Sequence, residues 1–134
     1  MLSFVTLASG SSGNAALVSC GQTHILLDAG ISARRITTAL RGLGVEPKEL
    51  SGVLITHEHT DHISGLATLT KQLGLPVYAT APTLDALAVK VPAIPQNRLG
   101  RFFAPGEAFP LGELWIEPFA TSHDAACSVG YAIT

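Results

Sequence analysis

The sequence predicts an α/β (α+β) fold, a mixed β-sheet with helices on an outer face that forms one layer pair of a sandwich. Three features predict it. The chain opens on short apolar runs separated by turn residues, a hairpin pattern. Helical periodicity then alternates with short apolar runs, as in βαβα units. The last third returns to short strands punctuated by Gly106, Gly112 and Pro118.

Each element has its own signal. Residues 3–8 are β-branched and aromatic and read as a strand, and residues 9–14 form a turn-rich loop. Residues 15–20 and 23–28 are apolar runs joined by Gly21-Gln22, a hairpin closed by Ala29-Gly30. Ser32 is placed to cap a helix running to about Leu43, with Ile36, Leu40 and Leu43 at helical spacing and Gly44 as terminator. Residues 47–50 fit one helical turn. Residues 52–56 (GVLIT) are continuously apolar, the pattern of a strand covered on both faces. Residues 65–73 read as a helix ended by Gly74, residues 77–79 as a strand, and residues 82–89 as a helix with Pro82 in its first turn. Residues 91–97 hold two prolines and read as a loop. Strands are expected at 101–104, 108–111, 114–119 and 128–133.

The bulk numbers restrict the function classes. A length of 134 residues suits one modest domain, taken as 1–134. With 47% hydrophobic and 13% charged residues, much of the side-chain surface should be buried. The net charge of −2 lacks the basic excess of a typical nucleic-acid binder, although one local patch would suffice. Cys20 and Cys127 are too few for a disulfide scaffold and fit a reduced, cytoplasmic setting. No apolar run approaches the roughly 20 residues of a membrane span. Leu17-Val18-Ser19-Cys20 resembles a lipoprotein cleavage site, but no basic segment precedes it and residues 9–14 break the apolar stretch, so Cys20 reads as a buried strand residue. The chain stops on an apolar strand. The expectation is a domain incomplete at its C-terminus, exposing one apolar sheet face and an edge, with self-association or a missing C-terminal segment to cover them.

The chemistry concentrates in Thr56-His57-Glu58-His59-Thr60-Asp61-His62, which follows the apolar strand directly. In extended backbone, residues two apart project to the same side, so His57 and His59 point together and Glu58 away. Thr60 and Asp61 start a turn into a helix that swings Asp61 and His62 back. Imidazole and carboxylate donors suit zinc, manganese or iron. A solvated, charge-rich turn is the ordinary alternative. Three histidines in six residues, of five in the whole chain, argue against it.

The spacing His57-x-His59-x-Asp61-His62, in its strand-to-helix setting, resembles the HxHxDH signature of the metallo-β-lactamase superfamily. Leu26-Leu27-Asp28-Ala29-Gly30 resembles its first motif, and Thr121-Ser122-His123-Asp124-Ala125-Ala126 its third. The opening Leu7-Ala8-Ser9-Gly10-Ser11-Ser12-Gly13-Asn14 is most similar to the YycJ/WalJ-like subgroup, whose members are associated with phosphodiester and nuclease chemistry. The resemblance implies a metallo-β-lactamase αββα sandwich, of which this chain covers roughly the N-terminal αβ half. It implies two divalent ions, zinc first, with manganese or iron as alternatives. His57, His59 and His123 would hold one ion, and Asp61 and His62 part of the second. Asp28 would orient a ligand histidine by hydrogen bonding, and Asp61 has a further candidate role in proton transfer. A fourth-motif aspartate and a fifth-motif histidine have no counterpart after His123.

The expected function is a metal-dependent hydrolase using a metal-bound hydroxide on a DNA or RNA phosphodiester. Hydrolysis of a small ester, thioester or lactam, and an inactive metal-binding fragment, are the alternatives. Substrate-binding residues are not assigned. Residues 9–14, and Arg98 with Arg101, could contact phosphate, but an ordinary turn and solvated surface arginines are the commoner readings. His24 reads as structural or surface, Asp124 as a turn or hydrogen-bonding residue, and Trp115 as packing.

Overall fold

The computed structural model describes residues 2–121 and 128–134. β1 (Leu2–Ala8), β2 (Ala15–Cys20) and β3 (Thr23–Ala29) form an antiparallel meander. β3 then pairs in parallel with β4 (Leu50–Leu54), β4 with β5 (Val77–Thr80), and β5 with β6 (Gly100–Phe103), so the six strands lie in sequence order. Helices fill the parallel crossovers: α1 (Ala33–Gly42) after β3, α2 (Thr60–Ile63) and α3 (Leu66–Leu73) after β4, and α4 (Ala81–Lys90) and α5 (Ala93–Gln96) after β5. β7 (Phe109–Leu111), β8 (Leu114–Ala120) and β9 (Val129–Ile133) make a second, antiparallel sheet.

Strand alternation divides the core. Leu26 and Val53 pack toward the helices with Ile36, Leu40, Leu66, Leu69 and Leu87. Val18, Ile25 and Leu54 face the second sheet and meet Leu111, Leu114 and Ile116. The central strands are therefore covered on both sides, which is why β4 reads as a continuous apolar run. Ser32 caps α1 by accepting the Arg35 N–H at 3.2 Å, and α3 ends at Gly74 in the left-handed region (φ +60°).

Some expectations are corrected. Of the strands expected in the last third, 101–104 joins the mixed sheet as β6, while the other three form a second sheet that packs on its face. That face is consequently part-covered instead of bare, and the exposed large apolar side chains sit on β1 (Leu2, Phe4) and on β8 (Trp115, Phe119) among others. Trp115, expected to pack, is 45% exposed, and Cys20, expected to be buried, is only half-buried. Residues 93–96 within the expected loop form a helical turn, because Pro95 falls where an N–H has no intrahelical acceptor, and Ala93 and Ile94 are buried. β4 ends at Leu54, short of Thr56: the Ile55 N–H still reaches the Tyr78 carbonyl at 2.9 Å, but the Thr56 N–H is taken by a carboxylate instead of a neighbouring strand.

Candidate metal centre

The parallel strands β3 to β6 direct their C-terminal ends to one edge, where side chains of an open α/β sheet converge. Asp28 stands there at the end of β3 with φ +61°, a left-handed conformation that Asp tolerates better than most residues. It is 4% exposed. Its Oδ1 accepts the Thr56 N–H at 2.8 Å, and its Oδ2 accepts the Thr56 hydroxyl at 2.9 Å and the Nδ1–H of His62 at 2.6 Å. Because the Thr56 hydroxyl donates to Asp28, its oxygen is left to accept from His57 Nδ1 at 3.0 Å. The network thereby assigns the Nδ1–H tautomer to both His57 and His62, leaving their Nε2 atoms as acceptors.

The turn after β4 gathers the remaining donors. His57 is buried, and its ring meets His59 edge-on at 4.7 Å and His62 at 4.0 Å between centroids. His59 occupies the N-cap position of α2, so Asp61 and His62 fall in its first turn and fold back over the strand end. One ligand atom from each of His57, His59 and Asp61 lies within 4.8 Å of the others. His62 Nε2 lies 3.6 Å from Asp61 Oδ2. Burial opposes a charge on His62, but its hydrogen bond and charge pairing with Asp28, with Asp61 adding, outweigh that and raise its pKa above 6.5.

The turn is fixed from behind by Asn14. Its N–H donates to the Asp61 carbonyl at 2.8 Å. Its Nδ2 lies 3.2 Å from that same carbonyl, 3.4 Å from Asp61 Oδ2 and 3.4 Å from His62 Nε2. The Asn14 carbonyl accepts the Gly30 N–H at 2.7 Å. This approach requires glycine at 30, because a Cβ there would sit 1.8 Å from the Asp61 carbonyl oxygen. Asn14, Asp28 and His62 border a cleft of about 220 Å³ that Thr6 and Ala8 also line.

The second sheet grips the same strand end. Tyr131 donates its hydroxyl to the Ile55 carbonyl at 2.7 Å, and the Val129 N–H donates to the Thr56 carbonyl at 3.0 Å. Burial, with the Asp28 charge adding, pushes the Tyr131 phenol well above 10, so it remains a donor. Thr121 and Ser128 join hydroxyl to hydroxyl at 2.8 Å. His123 and Asp124, between them in sequence, lie outside the described residues.

The fold thus brings His57, His59, Asp61, His62 and Asp28 together. Among these, the compact three-residue group is His57, His59 and Asp61, with His62 beside it and turned by Asp28. His24 is elsewhere, at the start of β3, bonded to Ser19 Oγ at 2.7 Å. Arg98 and Arg101 lie at the start of β6, the opposite edge of the sheet. Sequence reading missed Asn14, Thr56 and Tyr131 as site residues. Asn14 closes the loop that carries the subgroup resemblance and Thr56 immediately precedes His57, which are the signals that pointed to them; Tyr131 has none.

The description of the matching family model is the metallo-beta-lactamase superfamily, over residues 8–126. Exodeoxyribonuclease YycJ of Bacillus anthracis is 38% identical over 132 residues, 98% of this chain and 49% of that protein. Exodeoxyribonuclease WalJ of Streptococcus pneumoniae serotype 2 is 36% identical over 126 residues, 93% of this chain and 47% of that protein. The chain therefore spans about half the length of the curated relatives it matches. Among solved structures, the Rm3 metallo-beta-lactamase superposes with a TM-score of 0.80 at 24% identity, over 97% of this chain and 53% of that one, a likeness of fold. No helix among the described residues is long and apolar enough to cross a membrane.

Proposed function

The chain belongs to the metallo-β-lactamase superfamily of hydrolases, and from that premise we propose that it carries the metal-binding part of a phosphodiesterase acting on nucleic acid. The observation that carries the metal is the meeting of His57, His59 and Asp61 within 4.8 Å. The donor set fits a divalent cation: His57 and His62 have their Nδ1–H groups engaged by Thr56 and Asp28, His59 adds a third imidazole, and the Asp61 carboxylate lies beside Asn14. We assign His57, His59 and His123 to one ion and Asp61 with His62 to a second, zinc first, manganese or iron otherwise. When bound, such ions acidify a water and neutralise charge on a phosphoryl oxygen.

The remaining roles belong to the chain's own groups. Asp28 and Thr56 fix the imidazole orientations, and Asn14 fixes Asp61. We assign Asp61, whose side chain is 34% exposed, a proton-accepting role at its carboxylate besides metal binding. The nucleic-acid substrate is supported by the exodeoxyribonuclease names of the two relatives similar over nearly the whole chain.

The test is hydrolysis of linear DNA with manganese or zinc supplied, the chain beside its His59→Ala variant. We expect cleavage that chelator abolishes and that His59→Ala lowers by at least about a hundredfold. Equal cleavage by both proteins refutes the metal role. Lactam hydrolysis without DNA cleavage replaces the nuclease reading with a small-substrate one.

A further inference from the structure

The positive charge of this chain is unevenly placed. Of its eight Lys and Arg residues, Arg34, Arg35 and Arg41 lie on α1, which carries no acidic residue. Arg41 sits in the last turn, where a cation complements the helix dipole, and pairs with Glu46 at 3.6 Å. Arg34 and Arg35 are in the first turn, where exposed N–H groups already make the helix end positive and a cation is disfavoured. Both are exposed, and no carboxylate pairs with either among the described residues. They border a cleft of about 380 Å³ together with Leu7, Ile31 and Thr38, none of them acidic.

This cleft lies on the same edge as the metal centre. α1 begins where β3 ends, and its entry packs on the α2–α3 junction: a Cβ at Gly65 would sit 2.1 Å from the Ile31 carbonyl oxygen and 3.1 Å from the Ala33 nitrogen. Gly30 abuts the Asp61 carbonyl, and Arg34 is only four residues, at most about 14 Å of chain, further on. The other arginine pair differs in both respects. Arg98 and Arg101 are at the opposite edge, and the Arg101 guanidinium is engaged by the Arg98 and Gly100 carbonyls at 2.9 and 3.0 Å.

We infer that Arg34 and Arg35 bind the phosphodiester backbone of a nucleic-acid strand beside the phosphate held at the His57–Asp61 group. Guanidinium groups suit this ligand, because each presents a planar fork to a phosphate and keeps its charge at any working pH. Two such contacts anchor the strand without reading its bases. The inference rests on the phosphodiesterase reading, but its test does not pass through hydrolysis.

The probe is a short fluorescein-labelled single-stranded oligodeoxynucleotide, titrated by anisotropy with chelator present and at several salt concentrations. We expect Arg34→Gln with Arg35→Gln to weaken binding about tenfold or more near 0.1 M salt. The slope of log affinity against log salt should become shallower by about 1.4, or roughly 0.7 per phosphate contact on a single strand. Arg34→Lys with Arg35→Lys should keep binding within about threefold, and Arg98→Gln should leave affinity and slope unchanged. Equal affinity and slope in the double glutamine variant overturns the proposal, as does a native chain that fails to bind the oligonucleotide. Either result leaves the hydrolase reading to the His59→Ala comparison.

Discussion

Both ends of β3 are fastened by a carboxylate. At its C-terminal end the strand's own Asp28, nearly buried, collects the Thr56 N–H, the Thr56 hydroxyl and the His62 Nδ1–H. At its N-terminal end the exposed Glu113, from the β7–β8 turn, reaches the Gln22 N–H at 2.9 Å and the Thr23 hydroxyl at 3.4 Å. A glycine stands close by at each end. A Cβ at Gly112 would sit 2.3 Å from Thr23 Oγ1, as one at Gly30 would press on the Asp61 carbonyl. The difference lies in what is held. Glu113 binds a turn to a turn and docks the second sheet; Asp28 binds imidazole and hydroxyl groups whose orientation sets the proposed metal site. Buried and shared among several donors, Asp28 has no water to replace it, whereas Glu113 does.

The comparison can be broken most directly through the glycines. Gly30→Ala should destabilise the chain by about 2–3 kcal/mol in denaturant titration with chelator present, and abolish measurable zinc binding, because the added methyl must push the Asp61 turn aside. Native-like zinc binding by that variant would show that the turn tolerates displacement. The carboxylates themselves sharpen the contrast. Asp28→Asn should lower zinc affinity about 10–100-fold by calorimetry, and Glu113→Gln should leave it unchanged while costing under about 1 kcal/mol of stability. Equal effects of the two on zinc would erase the distinction drawn here.

Thr56 tests the same network one bond further out. Thr56→Val removes the hydroxyl that accepts from His57 and donates to Asp28, and should weaken zinc binding about tenfold, with Thr56→Ser restoring it. The smallest expected effect is on pH dependence. His62 titrates above 6.5 in the folded chain, and only its neutral form binds metal, so apparent zinc affinity should rise with pH through that raised pKa and then level. Metal-free stability runs the other way. A raised folded pKa means that the His62–Asp28 pairing is fully stabilising below about 6.5 and is lost as pH rises through the folded value. The gap in melting temperature between the native chain and Asp28→Asn, measured with chelator, should therefore narrow as pH rises above about 6.5 through the folded His62 value, leaving the part owed to the Thr56 hydrogen bonds; a gap that does not change with pH would assign all of the stability to hydrogen bonds that do not titrate.

How much of this was legible follows from the range of the forces involved. The helix from Ser32, the hairpin at Gly21-Gln22 and the buried run of β4 were readable because capping, turn geometry and two-sided burial leave marks within a few residues. The HxHxDH turn was readable for the same reason, since the side-chain directions of His57 and His59 follow from local extended backbone and the return of Asp61 from the helix that begins at Thr60. The second sheet was not. Ile116 facing Val18 and Leu54, and Tyr131 capping Ile55, join residues far apart in sequence, and no local pattern distinguishes a strand that extends a sheet from one that crosses it.

The sequence by itself determined the family, the order of helices and strands, and a donor-rich turn placed after a buried strand, because these depend on spacing and on neighbours along the chain. Tertiary structure alone decided which atoms hold that turn: Asn14 against Asp61 with Gly30 beside them, and His62 as the histidine that Asp28 orients. Those contacts span tens of residues, and they exist only where packing has already overcome the entropy of closing the chain between them.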